Sequence, residues 1–240
     1  MDLAVYYVKF NNNDEYLVRE IHRVPYTDNG PEAALNELIK TNPVTKDAAR
    51  ILPPDTKILG IEINEGRAVV NFSSEVLKAS VGSLSEALGI QSIVNTLTEF
   101  PQIREVSFMV DGKNDSRTMD WWGHVGLYEQ PFRRNLEKVI EPAIWVTHPV
   151  EDQAVGVPLL VKGSAMVFEG RVSARLLDEN GKKLASGNCT ASRGAPGRGD
   201  FEIQMTFTPP GKGNGVLEVY SASPKDGSDI NMVRIPVKLP

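Results

Sequence analysis

Apolar, β-rich segments separated by short polar runs open the chain and predict β-strands. Residues 3–10 and 17–24 flank the polar run Asn11-Asn12-Asn13-Asp14-Glu15, which predicts a hairpin with a five-residue loop. A second hairpin is predicted for residues 57–72, with its turn at Asn64-Glu65-Gly66. The chain therefore begins with antiparallel strand pairs.

Helical spacing replaces this pattern in two segments. Asn29-Gly30-Pro31-Glu32 begins the first helix, because Pro is tolerated in a first turn and Glu is favoured at the positive end of the helix dipole. Ser83-Leu84-Ser85-Glu86 has the capping-box spacing and begins the second. Apolar residues then recur at helical intervals, namely Ala34, Leu35, Leu38 and Ile39 in the first helix and Leu84, Ala87, Ile90, Val94 and Leu97 in the second.

A last strand at residues 106–110 completes the order ββαββαβ. This order predicts a compact α+β domain, in which two helices cover one face of a small mixed sheet. We place this domain at residues 1–115. Residues 116–142 are interpreted as a connector, which carries Trp121-Trp122 and the basic pair Arg133-Arg134.

The second half, residues 143–240, shows no helical period and is predicted to be an all-β sandwich. Asp178-Glu179-Asn180-Gly181 is a hairpin turn. In the tract Val167-Phe168-Glu169-Gly170 we expect two core or sheet-face residues, a solvated Glu and a bend at Gly170. Strands are expected at about ten-residue intervals, at residues 144–146, 159–164, 171–177, 201–207, 215–221 and 231–237.

Charge argues against nucleic acid as a partner. The 240 residues carry a net charge of −5. Up to residue 141 there are 15 basic and 21 acidic side chains, a net of −6, and beyond it 11 and 10, a net of +1. Neither half has the basic excess that binding to a phosphate backbone requires.

The residues alone do not decide the cellular location of the protein. No run approaches the roughly 20 apolar residues of a membrane helix, and the start at Met1 lacks a basic segment followed by an apolar one. As it stands the chain is expected to be cytoplasmic. If an export signal has been removed, it is expected to be secreted or lipid-anchored.

The second half resembles a known domain family. Residues 144–240 are similar to the immunoglobulin-like domain of bacterial spore-germination proteins. The motifs that carry the resemblance are His148-Pro149, Gly163-Ser164-Ala165, Val167-Phe168-Glu169-Gly170, Leu177-Asp178-Glu179-Asn180-Gly181, Gly199-Asp200-Phe201, Tyr220-Ser221 and Ile235-Pro236-Val237.

The first half resembles the GerM amino-terminal (GerMN) domain of sporulation and germination proteins. This family implies a small α+β fold similar to a ring-building motif of spore envelope complexes, and a structural or binding role rather than catalysis. The matching motifs are Val5-Tyr6-Tyr7-Val8, Ile51-Leu52-Pro53-Pro54-Asp55-Thr56, Val69-Val70-Asn71-Phe72-Ser73 and Ile93-Val94-Asn95-Thr96-Leu97-Thr98-Glu99-Phe100-Pro101.

The pair of domains implies export by a Gram-positive bacterium, often as a lipoprotein. This chain starts without a signal or a lipobox cysteine, so membrane association is expected only through a lipid anchor that is absent here. The expected partners are envelope proteins or a second copy of the chain. A cell-wall polymer is the alternative partner.

Catalytic and metal sites are not expected, and neither is a cofactor. His22, His124 and His148 are far apart and lack helical metal spacing. Cys189 is expected between strands as an inert thiol, since no basic neighbour lowers its pKa. The acidic groups at residues 178–180 and 226–231 could bind Ca²⁺ but are better explained as turns.

Trp121 and Trp122 are the candidate binding residues. Adjacent indoles in a connector could stack on sugar rings together with an exposed Tyr128. They could instead seal the interface between the two domains. The sequence thus favours a non-enzymatic, extracytoplasmic protein that acts by protein–protein contacts or assembly, with wall-polymer binding through these aromatic residues as the alternative.

Overall fold

The computed structural model describes residues 1–11 and 14–240, and these form two compact units. The first unit is Met1–Ile140 and the second is Glu141–Pro240. Each unit has a hydrophobic core of its own. The predicted fold class is confirmed, with mixed α+β structure in the first unit and an all-β sandwich in the second.

Among its described residues the first unit contains eight strands and three α-helices. The strands are β1 (Asp2–Asn11), β2 (Asp14–Arg23), β3 (Ala48–Ala49), β4 (Ile58–Asn64), β5 (Arg67–Phe72), β6 (Glu105–Val110), β7 (Phe132–Arg133) and β8 (Val139–Glu141). The helices are α1 (Gly30–Lys40), α2 (Ser83–Leu97) and α3 (Ser116–Asp120). None of the described helices is both long and apolar enough to span a membrane.

Two four-stranded sheets form in this unit, where one had been predicted. One has the order β3-β1-β2-β8, and the other has the order β4-β5-β6-β7. In the second sheet β5 and β6 are parallel, because α2 lies between them in the chain, and the other pairs are antiparallel. The core lies between these sheets and the helices, with Tyr7, Leu35, Phe72, Ile93 and Phe108 among its buried residues.

Helix α1 begins as its sequence predicts. Asn29 is the N-cap, its side-chain oxygen accepts from the backbone N–H of Glu32, and Pro31 stands in the first turn. Leu35 and Ile39 are fully buried on the apolar face. The helix therefore follows both its capping and its periodicity signals.

Three local predictions for this unit are wrong. The first hairpin has Asn11 paired with Asp14, so three residues of the predicted five-residue loop belong to strands, while Asn12 and Asn13 lie outside the described residues. Helix α2 has no capping box: Gly82 is its N-cap, and the carboxylate of Glu86 binds elsewhere. The segment 116–140 is not a separate connector, because α3, β7 and most of β8 belong to the first unit.

The second unit contains eight strands and no α-helix among its described residues. These strands are β9 (Ile144–His148), β10 (Gln153–Ala154), β11 (Leu159–Ala165), β12 (Arg171–Asp178), β13 (Lys183–Thr190), β14 (Gly199–Met205), β15 (Gly213–Ala222) and β16 (Asp229–Leu239). They form a five-stranded sheet, β10-β16-β15-β12-β13, and a three-stranded sheet, β14-β11-β9.

The inner faces of these two sheets form the sandwich core. Strand β14 alternates between buried and exposed residues along its whole length, as a half-buried strand should. Gly163 lets β9 and β11 approach closely, because a Cβ there would lie 1.9 Å from the carbonyl oxygen of Trp145. Glycine is therefore required at this point of the three-stranded sheet.

Strand β13 was not predicted from the sequence. It places Cys189 within a strand, whereas the prediction was a position between strands. Its residues alternate only weakly between apolar and polar, and Gly187 has no side chain to add to the pattern. In the tract 167–170, Val167 is buried and Glu169 is exposed, but Phe168 is 58% exposed. Phe168 lies in a short 3₁₀ turn before β12, and the chain bends at Gly170, whose φ is +68°.

Candidate functional site

Trp121 and Trp122 follow directly after α3 and point into the core of the first unit. Their exposed fractions are 4% and 8%. The ring of Trp121 packs 5.6 Å from that of Phe108 and 5.4 Å from that of Trp122. The indole Nε1 of Trp122 donates to the carbonyl oxygen of Val76 at 2.7 Å.

The indole ring of Trp122 packs against helix α2 at Gly89. A Cβ at Gly89 would lie 2.6 Å from the indole ring, so only glycine allows the ring to pack this closely on the helix. Both indoles belong to the core of the first unit. Contrary to the binding prediction, they offer no open ring face on which a sugar could stack.

Tyr128 lies on the surface with an exposed fraction of 66%, as predicted. The loop before it is fixed by Glu86 of α2, whose carboxylate is fully buried. Glu86 accepts from the backbone N–H of His124 at 2.9 Å and from that of Gly126 at 2.7 Å. The loop is therefore held against the helix, and Tyr128 is the one predicted binding residue that remains accessible.

His22 lies in a buried hydrogen-bonded group, far from metal-binding geometry. Its Nε2 is 3.0 Å from Oε2 of Glu20, and its Nδ1 is 2.9 Å from Oε2 of Glu37 on α1. Glu20 also accepts from the backbone N–H groups of Val44 and Thr45. The part of the chain that the structure describes contains no group of three His, Cys, Asp or Glu that could hold a metal ion.

The two carboxylates favour a charged imidazole. Burial opposes the charge, but the hydrogen bonds to Glu20 and Glu37 raise the pKa of His22 above its usual value. Burial also disfavours charge on Glu20, yet the bonds from His22, Val44 and Thr45 hold its pKa below the usual value. This group joins β2, α1 and the chain that follows α1.

A second, partly buried group surrounds Glu99. Arg19 lies 3.2 Å and Arg134 lies 2.6 Å from its Oε1, and the Tyr6 hydroxyl donates to the same oxygen. Burial opposes the charge of Glu99, but the two arginines lower its pKa to about 2. Arg134, the second residue of the basic pair in the predicted connector, thus links residues 132–135 to β1, to β2 and to the segment at the end of α2.

The remaining sequence candidates have structural roles. Burial raises the pKa of the Cys189 thiol, which works against a nucleophilic thiolate. Asp178 accepts from the backbone N–H groups of Asn180 and Lys182, and Asp226 accepts from Ser228. Of the carboxylates considered for Ca²⁺, Asp178 and Asp226 therefore close turns, whereas Asp229 in β16 pairs with Arg175.

Comparison with known domain families accounts for both units. Residues 4–116 match the family described as sporulation and spore germination, and residues 143–228 match the immunoglobulin-like domain of bacterial spore germination. Each match covers less than half of the chain and characterises one of its two units. The first unit is therefore a sporulation and spore germination domain, and the second is an immunoglobulin-like domain.

A curated protein is similar to about half of this chain. Over 118 residues the chain is 30% identical to the spore germination protein GerM of Bacillus subtilis (strain 168), which is 47% of this chain and 32% of that protein. The chain thus spans about a third of the length of this curated relative.

Two solved structures are each similar to 56% of this chain. The tandem GerMN domains of the sporulation protein GerM from Bacillus subtilis are 29% identical and have a TM-score of 0.45, with 56% of this chain and 44% of that chain covered. The first GerMN domain of that protein is 22% identical and has a TM-score of 0.47, with 56% and 98% covered.

The germination domain exposes apolar side chains along β4, at the edge of its sheet. Leu59 is 50% exposed and Ile63 is 41% exposed. Beside the start of β4, a groove of about 450 Å³ separates α1 from residues 54–58. The edge of β4 is not regular, because a β-bulge at Leu59 shifts its pairing with β5.

The immunoglobulin-like domain presents a charged sheet face instead. Glu218 on β15 binds Arg175 of β12 and Arg234 of β16 through its two oxygens. Arg175 also contacts Asp229 and lies 4.8 Å from the ring of Tyr220. The charged side chains of β12, β15 and β16 therefore form ion pairs with one another, and these pairs stabilise this face of the sheet.

Proposed function

We propose that this chain is a non-enzymatic protein of the sporulation and germination type that acts through contacts with other proteins. The observation that carries the proposal is the combination, in one chain, of a sporulation and spore germination domain with an immunoglobulin-like domain of bacterial spore germination. The curated relative of the first domain is itself a spore germination protein.

The proposed setting is outside the cytoplasm, in the cell envelope, as a secreted or lipid-anchored protein. Envelope proteins or a second copy of the chain are the proposed partners. Surfaces suited to such contacts exist in the germination domain, where Leu59, Ile63 and Tyr128 expose apolar area on ordered segments.

Wall-polymer binding is not part of this proposal. It depended on the stacking of two adjacent indoles, and Trp121 and Trp122 are both buried. A single exposed Tyr128 offers one ring, whereas a polysaccharide site normally needs a platform of several contacts.

Cross-linking in cells tests the proposal. The whole chain, with its natural leader and an affinity tag, is expressed in its own bacterium, cross-linked, and its captured proteins are identified after the envelope and cytoplasmic fractions have been separated. We expect the chain in the envelope fraction with a reproducible partner that is absent from an untagged strain.

Sedimentation velocity of the purified chain distinguishes self-association from binding to another protein. A concentration-dependent dimer supports a second copy as the partner. A chain found in the cytoplasmic fraction, monomeric in solution and captured with no partner would contradict the proposal.

A further inference from the structure

His22 has a carboxylate at each of its two ring nitrogens. Its Nε2 lies 3.0 Å from Oε2 of Glu20 on the same strand, and its Nδ1 lies 2.9 Å from Oε2 of Glu37 on α1. The side chains of His22 and Glu20 are each 7% exposed, and that of Glu37 is 23% exposed. The imidazole is therefore closed to a substrate in solution, and the role of these three residues lies within the fold.

These two contacts fix the number of protons that the three side chains share. An ionised carboxylate only accepts hydrogen bonds, so each contact needs a proton between the nitrogen and the oxygen. A neutral imidazole has one N–H and can donate to only one of the two carboxylates. Because the ordinary pKa of a glutamate lies about two units below that of a histidine, the second proton also resides on the ring. The geometry therefore requires a doubly protonated His22.

Glu20 and Glu37 are not held equally firmly. Glu20 also accepts from the backbone N–H groups of Val44 at 2.9 Å and of Thr45 at 2.8 Å, so its position does not depend on His22 alone. Within the described part of the chain, the carboxylate of Glu37 has only His22 as a hydrogen-bonding partner. Glu37 is also the more exposed of the two and can turn towards water. When the imidazole loses a proton, the contact with Glu37 is therefore the one that breaks.

Two other ionisable groups, Tyr7 and Arg50, lie close to these residues. The ring of Tyr7 on β1 is 5.7 Å from that of His22, and its hydroxyl donates to the backbone carbonyl oxygen of Glu37. Burial and the charges of Glu20 and Glu37 raise the pKa of Tyr7, so its hydroxyl stays neutral while His22 titrates. The guanidinium of Arg50 donates to the last carbonyl oxygens of α1. These contacts hold the end of α1 whatever the charge on His22.

We propose that His22 is a pH-sensitive clasp between β2 and α1, closed while its imidazole carries two protons and opened at Glu37 when it loses one. In the open state the remaining N–H of the ring stays with Glu20, and Glu20 keeps the segment after α1 on β2. Glu37 turns towards water, so α1 loses its side-chain link to β2. This device is a property of the fold and does not depend on the proposed function.

The clasp opens as the pH rises. Burial lowers the pKa of His22, but the hydrogen bonds to Glu20 and Glu37 outweigh burial and hold the pKa above its ordinary value of 6.5. The stability that the clasp contributes is therefore complete below pH 6.5 and is lost as the pH rises through the raised pKa. A histidine is the side chain suited to such a change, because its ordinary pKa lies close to neutral pH.

NMR titration of the imidazole tests the proposal. The chain has three histidines, so a variant with His124→Gln and His148→Gln leaves His22 as its only imidazole. Long-range ¹H–¹⁵N spectra report the protonation of both ring nitrogens. We expect both to be protonated below the titration midpoint, and that midpoint to be higher than in the same chain unfolded in urea. The ¹³C signal of the Glu37 carboxylate should change at the same midpoint.

Glu37→Gln should lower the midpoint of His22, because it removes one of the two charges that favour the imidazolium. It should also raise the unfolding equilibrium constant severalfold below pH 6.5, and this difference should disappear above the midpoint. Glu32→Gln is the matched control. It removes the same charge from the same helix, but its carboxylate bonds to Asn29, so it should leave the midpoint of His22 unchanged.

A midpoint in the folded chain no higher than in urea would overturn the proposal, as would a ring with one protonated nitrogen at every pH. Equal shifts from Glu37→Gln and Glu32→Gln would also overturn it, because the effect would then be a general one of helix charge. If the double histidine variant does not fold, the original chain is titrated instead, and the signals of His22 are assigned through the contact of its ring with Tyr7.

Discussion

At the scale of single residues, burial decides what the aromatic side chains do. Trp121, Trp122 and Tyr128 lie within eight positions of one another, and the sequence offers no signal that separates them. The separation comes from long-range partners, because Gly89 and Val76 receive Trp122 while Tyr128 meets solvent. Sequence alone therefore cannot tell whether a pair of adjacent indoles is buried or exposed, because the answer depends on residues that are distant along the chain.

Trp122→Ala should reduce the free energy of unfolding of the first unit by about 3–5 kcal/mol, because it leaves a cavity beside Gly89 and removes a buried hydrogen bond. Urea denaturation followed by circular dichroism measures the change. Tyr128→Ala is the control and should change stability by no more than about 0.5 kcal/mol. Equal losses for the two variants would show that Trp122 is not a core residue.

The buried polar groups were not predicted, although part of their signal is present in the sequence. Glu20 and His22 are two positions apart on β2 and must therefore share a face of the strand. Glu37 comes from a helix, and its approach to His22 depends on how α1 packs. Sequence spacing can locate pairs within one element, but not the third member supplied by another.

At the scale of elements, local signals predict helix and strand positions better than they predict side-chain roles. Ser83-Leu84-Ser85-Glu86 lies at the start of α2 as expected, yet Glu86 binds the loop at His124 and Gly126. A capping box satisfies one N–H per side chain, whereas this carboxylate satisfies two in the interior. The tertiary contact therefore takes precedence over the local one.

Glu99 should make the first unit sensitive to acid. Its pKa falls from 4.5 in the unfolded chain to about 2 in the folded one, so the stability it contributes is complete above pH 4.5 and is lost as the pH falls towards 2. The shift corresponds to at most about 3 kcal/mol. We expect Glu99→Gln to be destabilising at pH 7, and this cost to shrink strongly near pH 2.5.

Urea unfolding of both proteins at pH 7, 4 and 2.5 measures this difference. The exposed Glu129 provides the control, because Glu129→Gln removes a carboxylate of the same unit that makes no hydrogen bond or ion pair with the described residues. A cost of Glu99→Gln that stays constant over this range would show that the ionised carboxylate does not hold Arg19 and Arg134.

At the scale of the whole molecule, the order of the main elements was predictable and the extent of each unit was not. Strong apolar strands such as β11 and β15 were found, whereas β13 was missed because its residues are small and polar. Residues 116–140 looked like a connector because they lack a period. Arg134 and the buried indoles nevertheless make them part of the first unit.

The two hydrophobic cores share no residue, so each should respond to its own substitutions. Leu217 is fully buried in the second core, and Leu217→Ala should cost about 2–5 kcal/mol there. For a unit of about 100 residues, this lowers its unfolding temperature by about 8 °C or more. Calorimetry of the whole chain should resolve two transitions, with Leu217→Ala lowering one and Trp122→Ala lowering the other. A single transition that both variants lower together would show that the two units unfold as one cooperative structure.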